Sequence, residues 1–238
     1  MNQLFIQGVQ IRWDKIEENS YLRKIPALRF QGEQEFSREI TFFVGENGTG
    51  KSTLLEAIAV AYGLNPEGGS RNYNFSTYDS HSQLYNALRL KKGYRRPIWS
   101  YFLRAESFYN VATKEEEYSD GDHPSQKYHE KSHGESFLAL AQGSFRPNGL
   151  YLLDEPEAAL SPQRQLTLLI EISRLARQGA QFIIASHSPI LLGMPGAQIL
   201  SFDEGEIHPC AYDETDSYCV TEMFINNREY FLRKLLEE

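Results

Sequence analysis

The stretch that most constrains this chain is Gly45-Glu46-Asn47-Gly48-Thr49-Gly50-Lys51-Ser52-Thr53. An apolar run, Ile40 to Val44, comes before it, and Leu54-Leu55-Glu56-Ala57-Ile58-Ala59 comes after. That order reads as strand, glycine loop, helix. Gly45-x-x-x-x-Gly50-Lys51-Ser52 has the spacing of a phosphate-binding loop. Glycines let backbone N–H groups turn inward around an anion. A helix starting near Lys51 points its positive end at the same place. On this reading Asn47, Gly48, Gly50 and Thr53 belong to the phosphate cradle. Lys51 reaches the β- and γ-phosphates, and the Ser52 hydroxyl ligates Mg²⁺. The bland alternative is a glycine-rich turn that binds nothing, and a strand and helix on either side count against it.

Composition narrows the class. A chain of 238 residues with 41% apolar content can bury a sizeable core and is not disordered as a whole. The net charge of −8 argues against a surface that binds nucleic acid everywhere, though a local basic patch is compatible with it. The two cysteines, Cys210 and Cys219, have no metal-binding spacing and suit a reducing cytosol. No apolar run approaches a membrane span, and Met1 to Phe5 lacks a signal-peptide pattern. The expectation is a cytoplasmic protein with no direct membrane insertion.

Taken in order, the pattern predicts a strand over 4–11, a basic-tipped loop over 19–24, a short strand over 27–30 and a strand over 39–44. The helix after Lys51 carries Leu54, Leu55, Ile58, Ala59 and Tyr62 on one face, and Gly63 and Pro66 end it. Residues 65–80 read as loop. Leu84 to Leu90 and Ile98 to Leu103 read as two strands of a hairpin whose tip, Lys91-Lys92-Gly93-Tyr94-Arg95-Arg96, is either solvated or a phosphate-backbone contact. A helix over 107–117 and a polar stretch over 118–131 follow. Ser132 and Glu135 have capping-box spacing, so a helix begins just after Ser132.

Leu150-Tyr151-Leu152-Leu153-Asp154-Glu155 reads as a strand buried on both faces, as in parallel sheets, ending in two carboxylates. Ser161-Pro162 caps a helix with Leu166, Leu169, Ile170 and Leu175 on its apolar face. Gln181 to Ala185 is another buried strand, leading to His187. A hairpin over 198–208 and one amphipathic helix over 217–236 complete a single domain, 1–238.

A carboxylate at a buried strand end suits a hard dication between phosphates, so Asp154 is a candidate Mg²⁺ ligand. Glu155, one residue on, is placed to accept a proton from an attacking water. His187, at a neighbouring strand end, can hydrogen-bond a γ-phosphate; alone it would read as a satisfied turn histidine.

Together these residues resemble the ABC-type ATPase superfamily. Gly45 to Thr53 resembles its Walker A motif and Leu150 to Glu155 its Walker B motif with the catalytic glutamate. Ser132 to Glu135 resembles the signature motif, Glu157 to Ser161 the D-loop, and His187 the switch histidine. The resemblance spans about residues 38 to 203. It implies an α/β P-loop fold, an ABC-ATPase head with a mixed or parallel core sheet, antiparallel N-terminal strands, and a small helical signature region inserted at about 105–145. It also implies ATP and Mg²⁺ as ligands and a head-to-tail homodimer with two ATP molecules between protomers, Ser132 and Gly134 of one completing the γ-phosphate site of the other.

The departures point to a branch. His133 and Glu135 stand where transporter subunits usually carry glycine and glutamine, and Ser161 where their D-loop ends in aspartate. The nearest glutamine-loop candidate is Glu106, and the nearest adenine-stacking candidates are Arg12 and Tyr21. The pattern is more similar to the soluble SMC, RecF and OLD-type branch, yet no heptad coiled coil lies between Lys51 and Ser132. This implies a compact ATPase acting on a partner protein or DNA, as in DNA maintenance or phage defence. The alternatives are the nucleotide-binding subunit of a membrane transporter and a small-metabolite kinase. His129-Glu130-Lys131-Ser132-His133 matches a zinc-protease pattern, but Pro124, the Ser132 cap and Gly134 interrupt the helix that chemistry needs.

Overall fold

The computed structural model describes residues 3–70, 82–104, 138–139, 141 and 143–236. Among these residues ten strands form two sheets. β1 (Ile6–Ile11) lies between β2 (Gln34–Glu35) and β5 (Leu88–Lys92) in a three-stranded antiparallel sheet. The larger sheet has the order β10-β9-β3-β8-β7-β6-β4. Its centre is parallel: β9 (Gln198–Ser201), β3 (Ile40–Val44), β8 (Gln181–Ala185), β7 (Gly149–Asp154) and β6 (Trp99–Arg104). The edges β10 (His208–Pro209) and β4 (Gly69–Ser70) are antiparallel.

β3, β7 and β8 are buried along their whole length, because a parallel strand covered on both faces has no polar side to show. Their side chains alternate between two cores. Phe43, Leu150, Leu152, Ile183 and Ala185 pack with α1 (Lys51–Tyr62) and the small sheet. Phe42, Tyr151, Leu153, Phe182 and Ile184 pack with α3 (Pro162–Arg177) and α4 (Pro189–Leu192). The Tyr151 and Phe182 rings stack at 4.9 Å across neighbouring strands.

A buried side chain helps tie the two sheets together. Gln181, the first residue of β8 and fully buried, accepts from the backbone N–H groups of Phe5 and Ile6 at 2.8 and 2.9 Å. Its amide donates to the Ile6 carbonyl at 2.7 Å.

Several expectations are corrected. Residues 26–29 form a 3-10 turn, not a strand, since Pro26 fixes the backbone and Ala27 and Leu28 turn into the core. The expected hairpin over 84–103 does not exist. Leu84–Ala87 is a short helix, α2, and β5 and β6 belong to different sheets. The basic run between them is therefore a crossover. Lys91 pairs with Glu33 at 2.8 Å, and Arg95 donates to Asn148 at 2.5 Å with its guanidinium over the Phe5 ring.

On α3 the buried residues are Leu168, Ile172 and Leu175, whereas Leu166 and Ile170 are exposed. The i, i+4, i+7 face wins over the 166/170 stripe. Ser161 stands at the N-cap without a side-chain cap bond. The C-terminal helix is two, α5 (Asp216–Asn226) and α6 (Arg228–Leu236), interrupted at Asn227. Val220, Met223, Phe224 and Tyr230 on them are exposed. The expected helix over 107–117 and the capping box at Ser132 and Glu135 lie outside the described residues. No described helix is long and apolar enough to cross a membrane.

Replacing Gln181 with leucine would strand two buried donors and one acceptor at the junction of the sheets. The expected loss is about 2–4 kcal/mol, read as a lower urea midpoint with an unchanged slope.

Candidate nucleotide site

The parallel register sets the site. Phe43 pairs with Ala185, and Ala185 pairs with Asp154, so three adjacent strands end level. The phosphate loop leaves β3, Ser186 and His187 leave β8, and Asp154 and Glu155 end β7. The three sequence-predicted motifs are thereby brought together at the carboxyl ends of the central strands.

The loop needs its glycines. Gly50 has φ +104°, and a Cβ there would lie 2.8 Å from Ile25 Cγ2, so the 3-10 segment packs directly against the helix start. Asp203, just beyond β9, fixes the other end: its Oδ1 accepts from Glu46 N–H at 2.9 Å. Asn47 and Gly48 are exposed at the loop tip, and Thr53 is half-buried in the first turn of α1.

Lys51 is buried, and its Nζ donates to the Gly45 and Glu46 carbonyls at 2.6 and 2.7 Å. Burial lowers its pKa, while Glu155, Asp203, Asp154 and Glu157 act in the opposite sense. The ammonium therefore sits inside the loop, where a phosphate would supply the countercharge. Ser52 Oγ donates to Asp154 Oδ1 at 2.8 Å. Two hard oxygens thus converge on a buried spot beside the loop, a donor set that fits Mg²⁺.

Glu155 adopts φ +48°, with its N–H on the Ala185 carbonyl at 2.9 Å. Its half-exposed carboxylate lies 3.9 Å from His187 Nε2. His187 Nε2 is buried and makes no hydrogen bond among the described residues, which leaves it ready for an incoming acceptor or donor.

Four more residues frame the site, of which the sequence motifs include only Glu157, as the first residue of the D-loop. Glu157 Oε1 accepts from His187 N–H at 2.6 Å and from Ser186 Oγ at 2.9 Å, holding the histidine turn against the D-loop. Asp203 follows an apolar strand, the same signal that marks Asp154, but it was read as part of a hairpin. Glu56 and Arg104, charged residues in apolar surroundings, join at 2.8 Å. A cleft of about 560 Å³ opens beside Gly45 and Glu46, with His187, Asp203, His208 and Thr215 on its walls.

Of the adenine candidates, Tyr21 lines a different cleft, with Lys15, Asn19 and Gln83, whose walls include no phosphate-loop residue, and Arg12 is exposed. Ser132, Gly134 and Glu106 lie outside the described residues.

This combination of a phosphate loop after a central parallel strand, a histidine just past the adjacent strand and Asp-Glu at the end of the next defines the nucleotide site of a P-loop NTPase. Two family models match parts of the chain: residues 28–139 match "AAA domain", and residues 135–193 match "AAA domain, putative AbiEii toxin, Type IV TA system". The chain is similar to the SMC head domain from Thermotoga maritima, at 15% identity and TM-score 0.43, covering 75% of this chain and 92% of that one. It is similar to cbiO1 from Clostridium perfringens, part of the ABC transporter complex cbiONQ, at 14% identity and TM-score 0.44, covering 83% and 88%. No curated protein matches the chain in sequence.

Burial raises the Glu157 pKa above its ordinary 4.5, against the hydrogen bonds from His187 and Ser186. A carboxyl whose folded value is raised stabilises the fold below the unfolded value, and that stability is lost as pH rises through the folded value. Glutamine keeps the acceptor and carries no charge. The melting temperature of Glu157→Gln should approach that of wild type at pH below the ordinary value of 4.5 and exceed it above that, the difference levelling off once the raised folded value is passed, measured without nucleotide.

Proposed function

We propose that this protein binds and hydrolyses ATP in a head-to-tail homodimer that encloses two ATP molecules, and that the cycle acts on a partner protein or on DNA. The observation that carries the reading is the level ending of β3, β8 and β7, which gathers Lys51, Ser52, Asp154, Glu155 and His187 at the carboxyl ends of these central strands. The description of the matched model, which names a type IV TA system, supports a defence setting.

Each residue then has a role. The loop N–H groups and Lys51 bind the phosphates. Ser52 and Asp154 would hold Mg²⁺, which when bound neutralises phosphate charge and polarises the phosphoryl group. Glu155, 3.9 Å from His187 Nε2, takes the proton of the attacking water. His187, held through its backbone by Glu157, offers Nε2 to the γ-phosphate. Ser132 and Gly134 complete the site of the other protomer from a helix N-terminus.

Lys51→Ala should abolish ATP binding; unchanged affinity in calorimetry would sink the phosphate-loop assignment. Glu155→Gln should retain binding, lose turnover by about 10²-fold or more, and accumulate dimer with ATP in sedimentation. Near wild-type turnover would remove Glu155 from catalysis. Ser132→Arg should bind ATP as a monomer yet neither dimerise nor hydrolyse it, and normal hydrolysis by this variant would rule out a role across the dimer.

A further inference from the structure

Glu56 lies on α1 one turn after Ser52, so both side chains leave the same face of the helix. That face looks onto the end of β7. Between Glu56 and Asp154 stands Arg104, the last residue of β6, whose backbone pairs with that of Asp154 across the parallel ladder. Arg104 Nη1 meets Glu56 Oε2 at 2.8 Å, and Arg104 Nε is 3.9 Å from Asp154 Oδ2. The Glu56 and Asp154 side chains are only 12% and 10% exposed, and that of Arg104 22%. The Arg104 guanidinium thus lies between two carboxylates, and Ser52 Oγ donates to the second, Asp154 Oδ1, at 2.8 Å.

Without the guanidinium this would be a set of hard oxygens able to hold a dication by itself. With it, one of the two negative charges is cancelled. A divalent cation at Asp154 also feels a fixed positive charge close by, in a place with little water to screen it. An arginine stays charged at any working pH.

We propose that Arg104 is a specificity-determining residue of the metal site. Pinned by Glu56, it keeps free divalent cations out, so that metal enters only with the negative charge of nucleotide phosphates. The proposal rests on the nucleotide and metal reading above. It predicts that metal and nucleotide bind interdependently, and it gives Glu56 a purpose: holding the guanidinium in place, and being held out of the metal's reach.

The test is a titration with Mn²⁺ alone, free metal being read by electron paramagnetic resonance with no nucleotide present. Arg104→Met should bind Mn²⁺ about 10-fold or more tightly than wild type. Arg104→Gln, which can still hydrogen-bond Glu56, is the second neutral variant and should also tighten binding. Arg104→Lys, which keeps the charge, should behave as wild type. Adding Glu56→Gln to Arg104→Met should abolish the gain.

Mn²⁺ affinity unchanged in both neutral variants overturns the proposal. So does a lysine variant that binds as tightly as the neutral ones, or a gain that survives Glu56→Gln. ATP calorimetry on the wild-type protein reads the nucleotide assignment separately, and its failure would leave the metal titration interpretable.

Discussion

Everything at the site depends on the register of three parallel strands. Because Phe43, Ala185 and Asp154 stand level, the segments leaving β3, β8 and β7 emerge at the same height. A register slip of one residue would exchange the inward and outward faces of a strand. It would place Asp154 on the wrong side of Ser52 and bring Tyr151 into the space now filled by Leu152. The hydrogen bond from Ser52 to Asp154 is the local expression of that alignment.

The site concentrates charge where little water reaches, and the structure answers each charge. Lys51 is wrapped by loop carbonyls and four acidic neighbours. Glu157 is held by a backbone N–H and a hydroxyl. Asp203 takes a loop N–H and the Ser201 hydroxyl. Arg104 lies between two carboxylates. The arrangement is preorganised, since ligands can bind by replacing existing partners rather than by building a new frame.

Away from the site, a buried glutamine joins the small antiparallel sheet to the central one, so the two sheets share the core that supports the phosphate loop. The segment 21–29 extends this support, with Ile25 and Leu28 against Gly50. The C-terminal helices contribute the rim of the cleft beside the loop through Thr215, Asp216 and Val220, while their apolar residues further on remain exposed.

Local pattern determined a good deal by itself. The glycine spacing and its flanking strand and helix follow from nearest-neighbour conformational limits, and so do the doubly buried runs at Leu150–Asp154 and Gln181–Ala185. Each names a residue type that only one backbone geometry accommodates. Tertiary structure decided what periodicity cannot record. Apolar alternation over 84–103 suited a hairpin, but pairing partners are chosen by long-range packing, and β5 and β6 went to different sheets. The α3 stripe at Leu166 and Ile170 was as apolar as the face that is buried; only the neighbouring elements selected between them. The Glu56–Arg104–Asp154 cluster joins three elements 48 and 50 residues apart in sequence. Its meaning depends on distances between charges, and those exist only once the strands have paired.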